Sequence, residues 1–244
     1  MKIFVINMEK DFLRKNHIIN IFKEQKIENY EFIKAINGNQ LSEEYKNHNF
    51  DRRAFIKLNA KVPNNSQIGC SLSHQLCYKK QLENDDEWSL ILEDDILVPE
   101  DFKLKLESII NKISIAKKPT ILLLSGWFWY INKNYSKDLS FKKVYSGFLA
   151  HAYLINNSAA RILSTTKPFY AADDWYNIRK IFNISIYGFV PHLINQDWSD
   201  RFESSTKSLA IDYENGYMYA KLRILIKVIV QRILKKLGNF EEAI

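Results

Sequence analysis

Apolar and polar positions fall into two kinds of run along this chain. Short β-branched and aromatic runs at Lys2–Met8, Tyr30–Ile36, Trp88–Leu92, Thr120–Leu124, His151–Ile155 and Ile184–Val190 predict strands. Between them the spacing lengthens. Leu13–Lys26 has apolar residues at Leu13, Ile18, Ile21 and Phe22, and Pro99–Ile115 at Phe102, Leu104, Leu106, Ile109, Ile110 and Ile113, which predicts two helices. Pro63–Glu83 opens as a polar loop and becomes a helix, and Ser158–Ser164 reads as the helix after its strand. The opening strand–helix–strand, closed by a turn at Asn37-Gly38, is the pattern of a parallel βαβ unit. The alternation as a whole predicts α/β architecture with a mostly parallel sheet. No repeat, low-complexity tract or clear domain boundary interrupts it.

One place breaks the pattern. In "SLILEDDILVPEDF" (Ser89–Phe102) an apolar strand runs straight into Glu93, Asp94 and Asp95. Adjacent like charges repel, so a cation, a solvated turn or helix-capping contacts must offset the cost. Ligands of open α/β sheets collect at the carboxyl ends of strands, where this triplet falls. Alternate residues of an extended chain share a direction, so Glu93 and Asp95 point together. Such a pair suits Mn²⁺ or Mg²⁺ bridging to phosphate oxygens. The plainer alternative is a turn ahead of the helix near Pro99, with Asp101 in its first turn, where an acid suits the helix dipole.

Charge changes the picture little. The formal net charge is +7, but Lys221, Arg223, Lys227, Arg232, Lys235 and Lys236 lie together without an acid, and removing those six leaves about +1. The nearly neutral body disfavours nucleic acid as a partner. Five scattered histidines are too few for a two-metal phosphohydrolase. Cys70 and Cys77, seven apart on a helix, stand roughly 10 Å apart along its axis, too far for a disulfide, which fits a reducing compartment. His74 shares their face, but without a fourth ligand or paired cysteines the expectation is two buried thiols and a hydrogen-bonded histidine, with no metal. Neither a signal-peptide core nor an apolar run of about 20 residues is present, so the expected location is cytoplasmic.

The motifs together resemble glycosyltransferase family 25, enzymes of lipopolysaccharide and lipooligosaccharide biosynthesis with animal relatives that galactosylate collagen. "IGCSLSH" (Ile68–His74) followed by "LILEDDILVPEDF" (Leu90–Phe102) carries the resemblance. "IFVINMEKDFLRK" is similar to the family's opening strand, "KAINGNQL" to its Asn-Gly turn, "AHAYLINNSAARIL" to its Ala-Tyr-Leu-Ile segment, and "AADDWY" stands where the family has Pro-Val-Asp. The match covers roughly residues 2–205. It implies a GT-A-like α/β fold, a Rossmann-type mixed, mostly parallel sheet flanked by helices, over residues 1–215. It also implies a nucleotide-sugar donor, usually UDP-galactose, and a saccharide acceptor. Glu93, Asp94 and Asp95 then take the Asp-x-Asp role on Mn²⁺ or Mg²⁺, although the sequence reads Glu-Asp-Asp. Asn7, Arg14, Asn37, Gly38, Ser73 and His74 are implied at the donor, and His192 as a third metal ligand after the last strand.

An inverting transfer, implied by the resemblance, needs a carboxylate to take the proton of the attacking hydroxyl. Asp173 and Asp174 form a pair in which one acid raises the other's pKa, and Asp173 aligns with the family's aspartate. The dull reading is a helix N-cap. Trp127, Trp129 and Tyr130 in "GWFWY" are acceptor-stacking candidates, though alternation on a strand also describes core; Asp173 is an acceptor candidate too. Arg201 is a candidate diphosphate partner.

Residues 216–244 differ in kind. On a helix, Leu222, Leu225, Ile226, Ile229, Val230, Ile233 and Leu237 form one face, and Lys221, Lys227, Gln231, Arg232, Lys235 and Lys236 the other. A basic amphipathic helix suits an anionic membrane surface, the inner face of a bacterial inner membrane, where a lipid-linked acceptor would sit. The expectation is a metal-dependent β-galactosyltransferase. Its rivals are a UDP-glucose-dependent enzyme of the same pathway and a catalytically silent sugar-binding module on the same fold.

Overall fold

The structure is a computed structural model that describes residues 1–113, 118–134, 140–197 and 218–243. Strand β1 (Lys2–Asn7), helix α1 (Phe12–Glu24) and strand β2 (Tyr30–Lys34) form the expected βαβ unit, with β1 and β2 parallel. Two short helices that periodicity does not announce follow, α2 (Glu43–Asn49) and α3 (Arg52–Asn59). Ser42 and Asp51 cap them by accepting the backbone N–H of Tyr45 and Ala54. Helix α4 (Asn65–Glu83) starts where Asn64 and Gln67 each accept the other's backbone N–H, so the polar loop after Pro63 turns helical there.

Strand β3 (Trp88–Glu93) lies parallel to β1, and β4 (Ile96–Leu97) follows the acidic triplet. Helix α5 (Phe102–Ile113) leads to β5 (Thr120–Leu123), then to an antiparallel pair, β6 (Phe128–Asn134) and β7 (Phe141–Gly147). The chain continues through β8 (Ala152–Asn156), α6 (Asn157–Thr165), α7 (Trp175–Ile181), β9 (Ser185–Phe189) and β10 (Asn195–Gln196). It returns as α8 (Met218–Lys236) and β11 (Phe240–Glu241).

Nine strands make one sheet in the order β11-β6-β7-β9-β5-β8-β3-β1-β2. By pairing sense β2, β3, β5, β6 and β9 run with β1, and β7, β8 and β11 run against it. The result is a mixed, mostly parallel sheet flanked by helices, the α/β class expected. Alternation along the central strands sorts the core into two layers. Phe4, Ile6, Ile91, Ile121, Tyr153 and Ile155 face α4, α6 and α7, while Ile3, Val5, Leu90, Leu92, Leu122 and Leu154 face α1 and α5. Burial on both faces is why these strands read as unbroken apolar runs. The β6–β7 pair extends the sheet beyond β9, and the ring of Phe128 lies so close to Gly188 that a Cβ there would come within 2.3 Å of it.

The C-terminal helix exists and docks through one narrow, mostly polar face. Ala220, Gln231 and Leu234 are buried, and Gln231 Nε2 donates to Ser146 Oγ at 3.0 Å. Arg223 donates to the Leu58 carbonyl, and Lys227 lies over the rings of Phe148 and Tyr176 at 5.0 and 5.2 Å. Leu222, Leu225, Ile226, Ile229, Ile233 and Leu237 are exposed. The 215/216 boundary and Arg201 lie outside the described residues. Among those described, no helix is long and apolar enough to cross a membrane.

Candidate active site

Chain segments meet at one edge of the sheet. Asn7 ends β1, Glu93 ends β3, His151 precedes the reversed strand β8, and the segment after β9 bridges to Ser125 beyond β5 through Ile194. Backbone bonds lock them together: Glu93 N–H donates to His151 O at 2.9 Å, and Asp197 N–H to Asp95 O at 2.7 Å. The acidic triplet is thus a largely buried junction.

Each acid of the triplet has its own environment. Asp94 is saturated, with Asn7 Nδ2 donating to Oδ2 at 2.7 Å and Arg14 Nη1 to Oδ1 at 3.1 Å. Asp95 Oδ2 accepts from Gln196 Nε2 at 3.0 Å and from Arg14 Nη1 at 3.3 Å, while its buried Oδ1 has no partner. Glu93 Oε1 meets His74 Nε2 at 3.3 Å. Burial pushes Asp94 above the usual carboxylate range. Burial, then the charge of Glu93, pushes Asp95 up to about 7. Burial also acts upward on Glu93, but the His74 hydrogen bond and nearby positive groups leave it below its ordinary value. These oxygens fit a hard divalent cation. The orphaned Asp95 Oδ1 is an open ligand atom, and Gln196 Oε1 beside it is buried and unpartnered as well.

The shift of Asp95 has a consequence for stability. The folded protein holds a proton on Asp95 in a range where the unfolded chain, titrating near pH ~3.9, has lost it. The stability from this group is therefore complete below about pH 4 and is lost as pH rises to about 7. Relative to Asp95→Asn, the wild-type protein is expected to lose thermal stability across that window in a chelated buffer. A stability difference independent of pH, measured by melting curves from pH 4 to 7.5, overturns this.

Asp173 joins the same field. It accepts the backbone N–H of Leu149, and its carboxyl is raised by burial, then by Asp174, and also by Glu93. Leu149 is pinned from the other side, since Trp175 Nε1 donates to its carbonyl at 3.0 Å, and it sits at φ +68°. Trp127, 41% exposed, is held at φ +64° beside it, its carbonyl accepting Phe148 N–H at 3.1 Å. Left-handed backbone at two bulky residues costs about 1–3 kcal/mol each. Asp174 is the N-cap of α7, its Oδ1 and Oδ2 accepting Asn177 N–H at 3.4 Å and Asn177 Nδ2 at 2.5 Å.

Other residues marked from sequence are placed elsewhere. Ser73 Oγ accepts Ile36 N–H and donates to Gly69 O, both at 2.8 Å, and Asn37 caps a single turn by accepting Asn39 N–H at 3.1 Å. With Gly38 they clamp the loop after β2 onto α4. His192 faces two acceptors, Glu241 Oε1 at 2.7 Å and Asn195 Oδ1 at 2.6 Å. The Glu241 bond, first among its interactions, raises its pKa, and both ring nitrogens are engaged by these partners. Trp129 packs on Phe240 with ring centroids 4.7 Å apart, and Tyr130 OH donates to Gly238 O at 3.1 Å, so both bind the tail down.

Sequence reasoning missed His151. His151 is 1% exposed, its Nδ1 has no partner, and burial lowers its pKa against the pull of Glu93. A buried polar residue directly ahead of an apolar strand was the available signal. The Sγ of Cys70, a His74 ring nitrogen and a Glu93 oxygen lie within 4.8 Å of one another, and burial, then Glu93 and Asp173, push the thiol well up.

The sequence model of a family described as "Glycosyltransferase family 25 (LPS biosynthesis protein)" matches residues 1–176. Human procollagen galactosyltransferase 2 is 27% identical over 128 residues, 51% of this chain and 20% of its own length. A Haemophilus influenzae protein described as a glycosyltransferase is 33% identical over 118 residues, 47% of this chain and 40% of its own. These alignments thus span well under half of either relative. Among solved structures, a glycosyltransferase involved in glycosylation of the major capsid of PBCV-1 is 12% identical with a TM-score of 0.44, covering 82% of this chain and 94% of that one. A197 from STIV is 14% identical with a TM-score of 0.42, covering 80% and 84%.

Proposed function

The chain belongs to glycosyltransferase family 25, and from that premise we propose that it moves galactose from UDP-galactose to a saccharide acceptor in lipopolysaccharide or lipooligosaccharide synthesis. The observation that carries this reading is the convergence of Glu93, Asp94, Asp95 and Asp173 at one sheet edge, with Asp173 in the field of Glu93 but on a separate loop. The name of the human relative favours galactose as the sugar.

Glu93 and Asp95 are the residues to hold Mn²⁺ or Mg²⁺, which when bound supplies positive charge against the donor diphosphate. Asn7, Arg14 and Gln196 fix the orientation of Asp94 and Asp95 so that the open Oδ1 stays directed. Asp173 is the general base. Its raised pKa places it nearer the proton it must accept, and it takes that proton from the acceptor hydroxyl as the oxygen attacks the anomeric carbon. The bond to the UDP oxygen breaks on the opposite face, which inverts the configuration to a β-linkage. Asp174, by capping α7, anchors the turn that presents Asp173. The exposed ring of Trp127 is the stacking surface for the acceptor, and its strained backbone keeps it there.

With a panel of UDP-sugars and Mn²⁺, transfer or hydrolysis of UDP-galactose is expected, lost on chelation and reduced at least about a hundredfold in Asp95→Ala. Preferential turnover of UDP-glucose would replace the sugar and keep the mechanism. No binding of any nucleotide sugar, with or without metal, would sink the transferase reading.

Helix α8 is the element we assign to an anionic membrane surface. Its exposed stripe of Leu222, Leu225, Ile226, Ile229 and Ile233 lies opposite the docked residues Ala220, Gln231 and Leu234, and Lys221, Arg232, Lys235 and Lys236 are exposed along it. Such a helix can rest on lipid while the body keeps its contacts. Sedimentation with vesicles containing phosphatidylglycerol is expected to carry the protein down, and the double change Leu225→Asp, Ile229→Asp to abolish it. Equal sedimentation of both proteins would count against this surface.

A further inference from the structure

We propose that Cys70, His74 and Glu93 form a binding site for a thiophilic divalent cation of the Zn²⁺ class, chemically distinct from the all-oxygen set of Glu93 and Asp95. Cys70 and His74 sit four apart on α4 and so share a face, and Glu93 comes to them from the end of β3. Their sulfur, nitrogen and oxygen atoms lie within 4.8 Å of one another. Tetrahedral zinc with bonds of roughly 2.0–2.3 Å separates its ligands by roughly 3.4–3.7 Å. The His74–Glu93 distance of 3.3 Å already fits, and rotamer adjustment of about 1 Å closes the rest.

The orientation of His74 is the second, independent observation. Its Nδ1 is bonded to Tyr153 OH at 2.7 Å, that hydroxyl pairs with Tyr78 OH at 2.9 Å, and the imidazole stacks on the Tyr153 ring at 5.7 Å. All three residues are buried, so the ring is fixed with Nε2 turned toward Glu93. A histidine tied at one nitrogen by a buried partner and presenting the other is how proteins prepare a metal ligand. Three protein ligands with a fourth position open is the composition of a labile or catalytic zinc site, where structural sites have four. A thiolate in the set selects Zn²⁺, Co²⁺ or Cd²⁺ against Mg²⁺. Because Glu93 belongs to both sets, an ion here withdraws one carboxylate from the other cation, and zinc competes with the donor's metal.

The inference stands apart from the transferase reading, since its test needs no sugar. The full chain, stripped with chelator, is titrated with Co²⁺ as the spectroscopic stand-in for Zn²⁺. The expected result is one equivalent bound with a thiolate-to-cobalt charge-transfer band, displaced by Zn²⁺ and not by Mg²⁺. The chain has two cysteines, so the sulfur can be assigned. The band is expected to survive Cys77→Ser and to vanish in Cys70→Ser. Tyr153→Phe, which removes the hydroxyl bonded to His74 Nδ1, is expected to weaken Co²⁺ binding about tenfold with the band position unchanged. Absence of the band from the wild-type protein, or its loss in a folded Cys77→Ser variant, overturns the proposal. Should Cys70→Ser fail to fold, the wild-type and Cys77→Ser spectra decide the matter alone.

Discussion

Asp173→Asn is expected to lower the turnover of sugar transfer by about a hundred- to ten-thousandfold and to leave donor binding within a few-fold of wild type. The asparagine keeps the shape and can still accept the Leu149 N–H, so the loop and Trp175 contact should persist. What it loses is the ability to take a proton. The same logic gives a pH dependence. A base must be deprotonated to act, and burial, then Asp174, lift Asp173 above the ordinary carboxylate value. The acidic limb of turnover should therefore lie at higher pH than an ordinary carboxylate gives, with rate rising through it. The measurement is steady-state turnover from pH 4.5 to 8 alongside calorimetric UDP binding. A variant with near wild-type turnover would remove Asp173 from the chemistry. Equal loss of UDP binding would place it at the donor instead.

Gly38→Ala is expected to be the most damaging single methyl group that can be added to the donor side of the fold. A Cβ at Gly38 would lie 1.7 Å from the Asn65 carbonyl oxygen and 2.6 Å from its carbon. Gly69 mirrors it, its Cβ meeting the Ile36 carbonyl oxygen at 2.4 Å and the Gly38 nitrogen at 2.6 Å. Both obstacles are backbone, so no side chain can swing aside. The loop after β2 must leave α4, breaking the Ser73 bridge to Ile36. The cost is on the order of 3 kcal/mol or more, a fall in melting temperature of roughly 10 °C for a chain of this size. Gly238→Ala is the control. Gly238 has φ +74° but open space around it, so only backbone strain of about 1 kcal/mol is expected there. Melting temperatures of the two variants that agree within two degrees would contradict this view of the Gly38–Gly69 contact.

The pattern of the chain reveals the parallel half of the sheet and hides the rest, for physical reasons. Of the strands whose apolar runs stand out, β1, β3 and β5, with the reversed strand β8 between β3 and β5, are covered on both faces. The β6–β7 pair carries Lys142 and Lys143 beside Phe141 and Val144, and its pairing register shifts twice, so no clean period of two reveals it. α2 and α3 are too short for helical spacing to accumulate and are set by their caps. At the site, the acidic triplet was visible because the strand before it is. The contacts of Gln196 with Asp95 and of His151 with Glu93 were not, because they are made by loop closure across a hundred and about sixty residues of chain. Helix α8 and its two faces are plain in the sequence, but its docking contacts depend on partners such as Ser146 and Leu58 that lie far away in the chain.

The placement of β8 bears on how the molecule is made. This strand, Ala152–Asn156, is inserted between β3 and β5, pairing Leu154 with Leu90 on one side and Leu122 on the other. While a ribosome is still adding residues before Ala152, the nascent chain can already assemble β1, β2 and β3. It must then present the outer edge of β3, an apolar strand whose backbone groups await a partner. Such an edge is a template for pairing with the wrong chain. The order in which the sheet is synthesised therefore leaves its central seam for a late segment to close, and the nascent protein needs shielding at β3 for as long as that takes.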